Sequence, residues 1–173
     1  MWLFWSIFVF VTIQRLGELQ ISRRNESRLR LKGAYEVGSR HYKYIVLVHF
    51  FFLASWLAEV VFFRTKIPVI WPVLFGLFII AQGLRYWSII TLGERWTTRI
   101  IILPGAPRIT SGPYHFLHHP NYTAVVCELL VIPLIFGACY TAAIFTILNS
   151  LVLIIRIREE NLALADPLAG RLP

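Results

Sequence analysis

Residues 125–155 read VVCELLVIPLIFGACYTAAIFTILNSLVLII, with a single charged side chain, Glu128. A helix needs ~20 apolar residues to cross a bilayer, and this run is long enough for two short crossings. Gly137 falls near its middle and marks a tight turn. The run therefore predicts a helical hairpin, Asn121 to Phe136 followed by Thr141 to Ile157. Three further apolar runs, Trp2–Ile13, Ile45–Phe63 and Ile67–Ala81, lie upstream. A chain of 173 residues cannot bury all of these in one soluble core. Its apolar fraction is 57%, its charged fraction 15% and its mean hydropathy +0.65, against about 25% charged residues in soluble domains. The chain reads as an all-α integral membrane protein, one domain by length over residues 1–173.

The same ruler gives about five transmembrane helices. The first runs from Trp2 to Ile21, the second from Tyr44 to Phe63 and the third from Ile67 to Thr91. A basic loop, Ser22 to Lys43, separates the first two, and Arg64-Thr65-Lys66 joins the second to the third. Pro68 and Pro72 fit the first turns of the third span, where missing donors are tolerated. Leu92 to Leu117 is a polar insert with Pro104, Gly105, Pro107, Gly112 and Pro113. After the hairpin, Arg158 to Leu164 continues as an emerging helix, which Asp166-Pro167 breaks. There are no internal repeats or low-complexity tracts. The N-terminus lacks the basic region and cleavage site of a signal peptide and reads as a retained span.

The net charge of +8 does not point to nucleic acid. Its largest cluster is Arg23, Arg24, Arg28, Arg30, Lys32, Arg40 and Lys43, offset by Glu26 and Glu36, with no aromatic stacking platform interleaved. Basic loops beside spans stay cytoplasmic and attract anionic headgroups. The basic loop, the insert (Arg95, Arg99, Arg108) and the tail (Arg156, Arg158, Arg171) fall on one side, and only Arg64 and Lys66 on the other. The N-terminus is expected outside and the C-terminus in the cytoplasm. Cys127 and Cys139 both lie in spans, which argues against a disulfide scaffold, and no metal-ligand spacing is present.

Chemistry-bearing residues collect on the cytoplasmic side in two places. One is Ser111-Gly112-Pro113-Tyr114-His115-Phe116-Leu117-His118-His119-Pro120-Asn121-Tyr122. Pro120 alone is ordinary helix-start punctuation. His119 and Tyr122 straddle that start, near backbone donors suited to an anionic ligand group. The second place is Arg156 through Leu164, where Arg156 and Glu160 are four apart on one helix face. Either an ion pair at a helix end or a ligand site accounts for that spacing. Hairpin geometry makes the two places neighbours, since both lie opposite the turn at Gly137. Glu128, about two turns into its span, must face the bundle interior. It either contacts substrate or cofactor or pairs with an Arg or Tyr. Glu59 and Arg85 raise the same question, and Arg15 with Glu18 reads as an inner-leaflet pair. The six tryptophans suit interface belts or helix packing.

At these residues the sequence resembles the isoprenylcysteine carboxyl methyltransferase family. That family's glycine–x–tyrosine and arginine–histidine–proline–x–tyrosine pattern reads here as Gly112-Pro113-Tyr114 and His118-His119-Pro120-Asn121-Tyr122. Its arginine followed by paired glutamates reads as Arg156 and Glu159-Glu160. Trp96-Thr97-Thr98-Arg99, Leu103-Pro104-Gly105, Gly33-Ala34-Tyr35-Glu36-Val37-Gly38 and His41-Tyr42 are similar to a bacterial branch associated with type III polyketide synthases. The resemblance reaches from about Arg15 to Leu164. Two departures stand out: His118 replaces the usual arginine, and His115 stands where arginine is also common. Histidine, unlike arginine, is not a permanent cation, so the anion-pairing role of those family arginines is not expected to carry over unchanged. Many members carry an aromatic tail that does not follow Leu164 here, so part of the cofactor lid is expected to be supplied differently.

The resemblance implies S-adenosylmethionine as methyl donor, leaving as S-adenosylhomocysteine, at a cytoplasmic cofactor site. It implies cofactor contacts from Tyr114, His118, His119, Pro120, Asn121, Tyr122, Glu159 and Glu160. Glu160, with Glu159 as the alternative, takes the amino group or sulfonium side. Arg156 orients the acceptor or the cofactor carboxylate, so Arg156 and Glu160 are the expected catalytic pair. Trp96, Arg99 and Glu128 are the expected acceptor contacts, and no metal is implied. The acceptor is expected to be a lipid-tailed acidic hydroxyl, an alkylpyrone or phenolic lipid reaching the site laterally from the bilayer. Alternatives are a prenylated-cysteine carboxylate, a membrane reductase, for whose larger bundle the chain is too short, and a non-enzymatic carrier.

Overall fold

The computed structural model describes residues 1–165, with Arg40 and His41 described by backbone alone. The expected break at Asp166-Pro167 and the tail residue Arg171 lie outside them. The order of elements is α1 (Trp2–Leu31), β1 (Tyr35–Val37), α2 (Ser39–Phe62), α3 (Trp71–Leu92), β2 (Ile100–Ile102), α4 (Pro120–Ile135) and α5 (Cys139–Ala165). Short 3-10 turns occupy Gly93–Arg95 and Gly112–His115. The protein is an all-α membrane helical bundle with one two-stranded ribbon. Of the described helices, α1, α2, α3 and α5 are long and apolar enough to cross a membrane. At 16 residues, α4 is about 24 Å long, short of the ~30 Å hydrocarbon layer.

The chain divides into two compact units. Among the described residues, one comprises Met1–Ser39, Leu92–Pro107 and 159–165. Within it, α1 does not stop near Ile21 to give a loop from Ser22, as hydropathy suggests. It runs 30 residues, about 45 Å, so its last turns extend beyond the apolar layer. The reason is that Arg23 to Leu31 contains no glycine or proline, and its residues are competent helix formers. Arg30 also reaches back to Glu26, four residues earlier, at 2.7 Å. The helix ends at Gly33 in a Schellman arrangement. Ala34 N–H donates to Leu29 O and Gly33 N–H to Arg30 O, both at 3.0 Å.

One face of α1 is buried along its whole length, at Phe4, Ile7, Val11, Gln14, Glu18, Ser22, Asn25 and Leu29. The stripe is apolar at first and polar later, and its polar part has identified partners. Glu18 pairs with Arg15 at 2.9 Å, as expected, and also accepts from Gln14 at 3.0 Å. Ser22 Oγ lies 2.9 Å from Thr98 Oγ1 and accepts from Thr98 N–H at 2.8 Å. Asn25 Nδ2 donates to Gly93 O at 3.1 Å and to Trp96 O at 2.8 Å. The first half of the insert is thus tied to α1. It continues as β2, antiparallel to β1 with Tyr35 opposite Ile102 and Val37 opposite Ile100.

The other unit comprises Arg40–Thr91 and Arg108–Arg158. Its core is the cluster Phe52, Val125, Leu129 and Phe145, where α2, α4 and α5 meet. Outward-facing Leu47, Phe50, Ile80, Ile147 and Ile154 remain exposed, as lipid-facing positions should be. The third helix starts at Trp71 rather than Ile67, because Pro68 removes a donor and disfavours helical geometry at Ile67. The expected turn at Gly137 closes the α4–α5 hairpin. Its φ is +72°, and a Cβ there would run into the Lys66 backbone oxygen. Ala138 N–H donates to Pro133 O and Gly137 N–H to Leu134 O, each at 3.0 Å. Glu59 of α2 caps the start of α5, accepting from Tyr140 N–H at 3.1 Å and Thr141 N–H at 2.7 Å. A carboxylate on otherwise unpaired first-turn donors accounts for its burial.

Candidate active site

The second half of the insert is fixed against α3 before it enters α4. Gly112 has φ +59°, and a Cβ there would come within 2.6 Å of Thr91 Oγ1 and 3.2 Å of Trp87 Nε1. Only glycine accepts both the backbone geometry and the close approach. Gly112→Ala is expected to cost about 1–3 kcal/mol and to lower the melting temperature in detergent. Adding Thr91→Ala should recover part of the loss by relieving the contact. An unchanged melting temperature in Gly112→Ala would show that this docking is not close.

Beyond the turn the chain reaches His119, the N-cap of α4, whose carbonyl accepts from Tyr122 N–H and Thr123 N–H, each at 3.1 Å. Pro120 follows at the first helical position, where no donor is needed. The cap therefore uses the His119 backbone, with no side-chain cap hydrogen bond. Its imidazole instead stacks on the Tyr122 ring, with centroids 5.2 Å apart and planes 7° from parallel. Arg156 of α5 completes the group. Its Nε–H donates to Tyr122 Oη at 2.7 Å, and its guanidinium carbon lies 5.2 Å from the ring centroid. Arg156 is buried, whereas His119 and Tyr122 are half-buried. The expectation that the two ends of the hairpin are neighbours is realised in this contact across 34 positions.

Asn121 lies between the stacked rings in sequence. Its Oδ1 is buried and accepts no hydrogen bond from the described residues. Tyr114 is half-buried in the 3-10 turn, while His115 and His118 are exposed. Glu159 and Glu160 are half-buried on α5, in the helical turn that follows Arg156.

The remaining candidates have other partners. Arg99 Nη1 meets Glu36 Oε1 at 2.7 Å, and its Nε lies 3.7 Å from Glu26. Trp96 is buried with its carbonyl held by Asn25, and its Nε1 has no hydrogen-bond partner among the described residues. Glu128 is buried against Arg85 of α3 through two 2.7 Å hydrogen bonds. Of the two readings open for Glu128, the ion pair with an arginine is the one the geometry displays. Sequence reasoning missed the tie from Ser22 and Asn25 to the insert. Their place in a stripe of three- and four-residue spacing was the available signal. It also missed Trp87 and Thr91 as the seat for Gly112.

Comparison with known proteins bears on the same region. The model of the isoprenylcysteine carboxyl methyltransferase (ICMT) family matches residues 74–166, a span containing Tyr114 through Tyr122 and Arg156 through Glu160. The chain is 36% identical over 164 residues to the Bacillus subtilis "Uncharacterized protein YpbQ", covering 95% of this chain and 98% of that one. It is 28% identical over 159 residues to an "Uncharacterized protein" of Haemophilus influenzae, covering 91% and 92%. No solved structure matches the chain. With the family model matched over more than half its length and its spanning helices in place, the chain belongs to the isoprenylcysteine carboxyl methyltransferase family and is a multi-pass membrane methyltransferase.

Proposed function

We propose that the protein is an S-adenosylmethionine-dependent O-methyltransferase acting on a lipid-tailed acidic hydroxyl of the alkylpyrone or phenolic-lipid kind. The observation that carries this reading is the His119–Tyr122–Arg156 group, where the start of α4 meets the later part of α5 at the open end of the hairpin. It combines a buried cation, two stacked rings and a helix start at the end of the hairpin. The residues suit the methyl donor. The buried Asn121 Oδ1, with no hydrogen-bond donor among the described residues, matches an amino group, and His119 with Tyr122 offers an aromatic surface. When bound, S-adenosylmethionine supplies a methyl group carried on a sulfonium.

The chain's own part is alignment. In-line displacement depends on holding the reacting centres in register more than on covalent help. A 4-hydroxypyrone or carboxylate is already largely anionic at neutral pH, so a strong general base is unnecessary for those acceptors, whereas a phenol must release its proton to water or a neighbouring carboxylate during transfer. Arg156, held by Tyr122, orients an anionic oxygen or carboxylate. Glu160, one turn further along α5, receives the positive side of the donor, with Glu159 as the neighbouring alternative. Arg156 lies 17 positions beyond Cys139, about 25 Å along the helix. That length suits a position near the edge of a ~30 Å layer, where water is scarce and charge interactions strengthen. The excess of arginines flanking this end supports a cytoplasmic site with the N-terminus outside. The bacterial relatives suit a bacterial cytoplasmic membrane.

A carboxyl acceptor on a prenylated cysteine is the second reading, favoured by the family to which the chain belongs. It requires the same donor and the same residues. Titrating the purified protein with S-adenosylmethionine or S-adenosylhomocysteine is expected to give saturable binding. A folded wild-type protein that binds neither would remove the proposal in both forms.

A further inference from the structure

The proposed chemistry does not call on the Arg85–Glu128 pair, and a buried ion pair is weak ground for stability. Its side chains are 2% and 0% exposed, deep in helices that lie within the membrane, where charges are costly. Replacing such a pair by apolar side chains is often neutral or stabilising. What apolar residues cannot reproduce is its geometry. Arg85 Nε meets Glu128 Oε1 and Nη2 meets Oε2, both at 2.7 Å. A bidentate fork of this kind fixes both rotation and axial offset, whereas apolar helix faces hold neither so strictly.

Glu128 lies six positions after Tyr122 on α4, and Arg85 lies six positions before Thr91 on α3. Thr91 and Trp87 seat Gly112, eight positions before Pro120. The same helix therefore grips the chain on both sides of His119–Tyr122. We propose that Arg85 and Glu128 are positioning residues that set the register of α4 on α3, and thereby place His119 and Tyr122 against Arg156. This rests on the proposed function only for its catalytic consequence, since the register itself is measurable without activity.

The test uses spin labels at Thr123 of α4 and Arg158 of α5, both exposed, in full-length protein with Cys127→Ala and Cys139→Ala. Wild type and the charge-swapped Arg85→Glu/Glu128→Arg variant are expected to share one narrow distance distribution. Arg85→Met/Glu128→Leu should keep its melting temperature yet broaden or shift that distribution. Methyl transfer by that variant should fall in kcat by about 10- to 100-fold, as for a misplacement near 1 Å, with the KM for acceptor little changed. If the apolar pair fails to fold, Arg85→Lys keeps the charge and removes the fork, and is expected to broaden the distribution likewise. A folded apolar pair, or Arg85→Lys, with the wild-type distribution overturns the proposal. Absence of methyl transfer in wild type would fail the proposed function and leave the distance measurement to decide the register.

Discussion

His119→Ala is expected to reduce methyl transfer by about 10²- to 10³-fold, the range seen when one preorganised polar group is removed from a reacting centre, while the protein stays folded. Two features make this a clean expectation. The N-cap of α4 uses the His119 carbonyl and no side-chain hydrogen bond, so alanine leaves the helix start intact. The imidazole stacks on Tyr122 at 5.2 Å, so its loss falls on the aromatic surface that Arg156 also engages. The melting temperature in detergent should move by no more than about 2–4 °C, the shift of roughly 1 kcal/mol in a chain of this size. The neighbouring exposed His115 and His118 should tolerate alanine better. Equal losses at all three would argue for a general effect of the insert instead.

The second large effect is expected at Glu160. Its side chain is half-buried on α5, close to where the helix leaves the apolar layer, so Glu160→Ala should not disturb the bundle. Removing one hydrogen bond to a charged group costs about 1.5–3 kcal/mol, equivalent to roughly 10- to 150-fold in affinity. The loss should therefore register as weaker S-adenosylmethionine binding, with Glu160→Gln intermediate because it keeps an acceptor without the charge. Glu159→Ala is the internal comparison. A larger loss there than at Glu160 would assign the role to the first carboxylate of the pair. Isothermal titration of the three variants in one detergent settles the order.

How far the sequence revealed these features depended on the range of the interaction. The hairpin was legible because the apolar run 125–155 is too long for one span and has a glycine near its middle. The nearness of the Gly112–Tyr122 and Arg156–Leu164 stretches followed, since both lie opposite that turn, but the Tyr122–Arg156 pairing itself did not. The reach of α1 was not legible from hydropathy. Arg23 to Leu31 looks like a polar loop, but nothing in it breaks a helix and Glu26–Arg30 supports one. The β1–β2 ribbon was hidden too, because three-residue strands carry no usable period. Glu128 announced a partner, but naming Arg85 required the rotational phase of α3 against α4. That phase is a tertiary property and is written in the local pattern of neither helix. Likewise, the tie from Asn25 to Gly93 and Trp96 joins positions about seventy apart, beyond any local pattern.

The most direct test is transfer of an isotope-labelled methyl group from S-adenosylmethionine to a total lipid extract by purified wild type, His119→Ala and Glu160→Ala. Label should enter a lipid as an O-methyl group with wild type, and identifying that lipid distinguishes a pyrone or phenolic hydroxyl from a prenylcysteine carboxylate. Both variants, folded by their melting curves, should label the extract at least about tenfold more weakly at the same exposure and a subsaturating donor concentration. Undiminished labelling by both variants would contradict the assigned site, and no labelling by folded wild type in an extract containing either acceptor class would contradict the proposed activity.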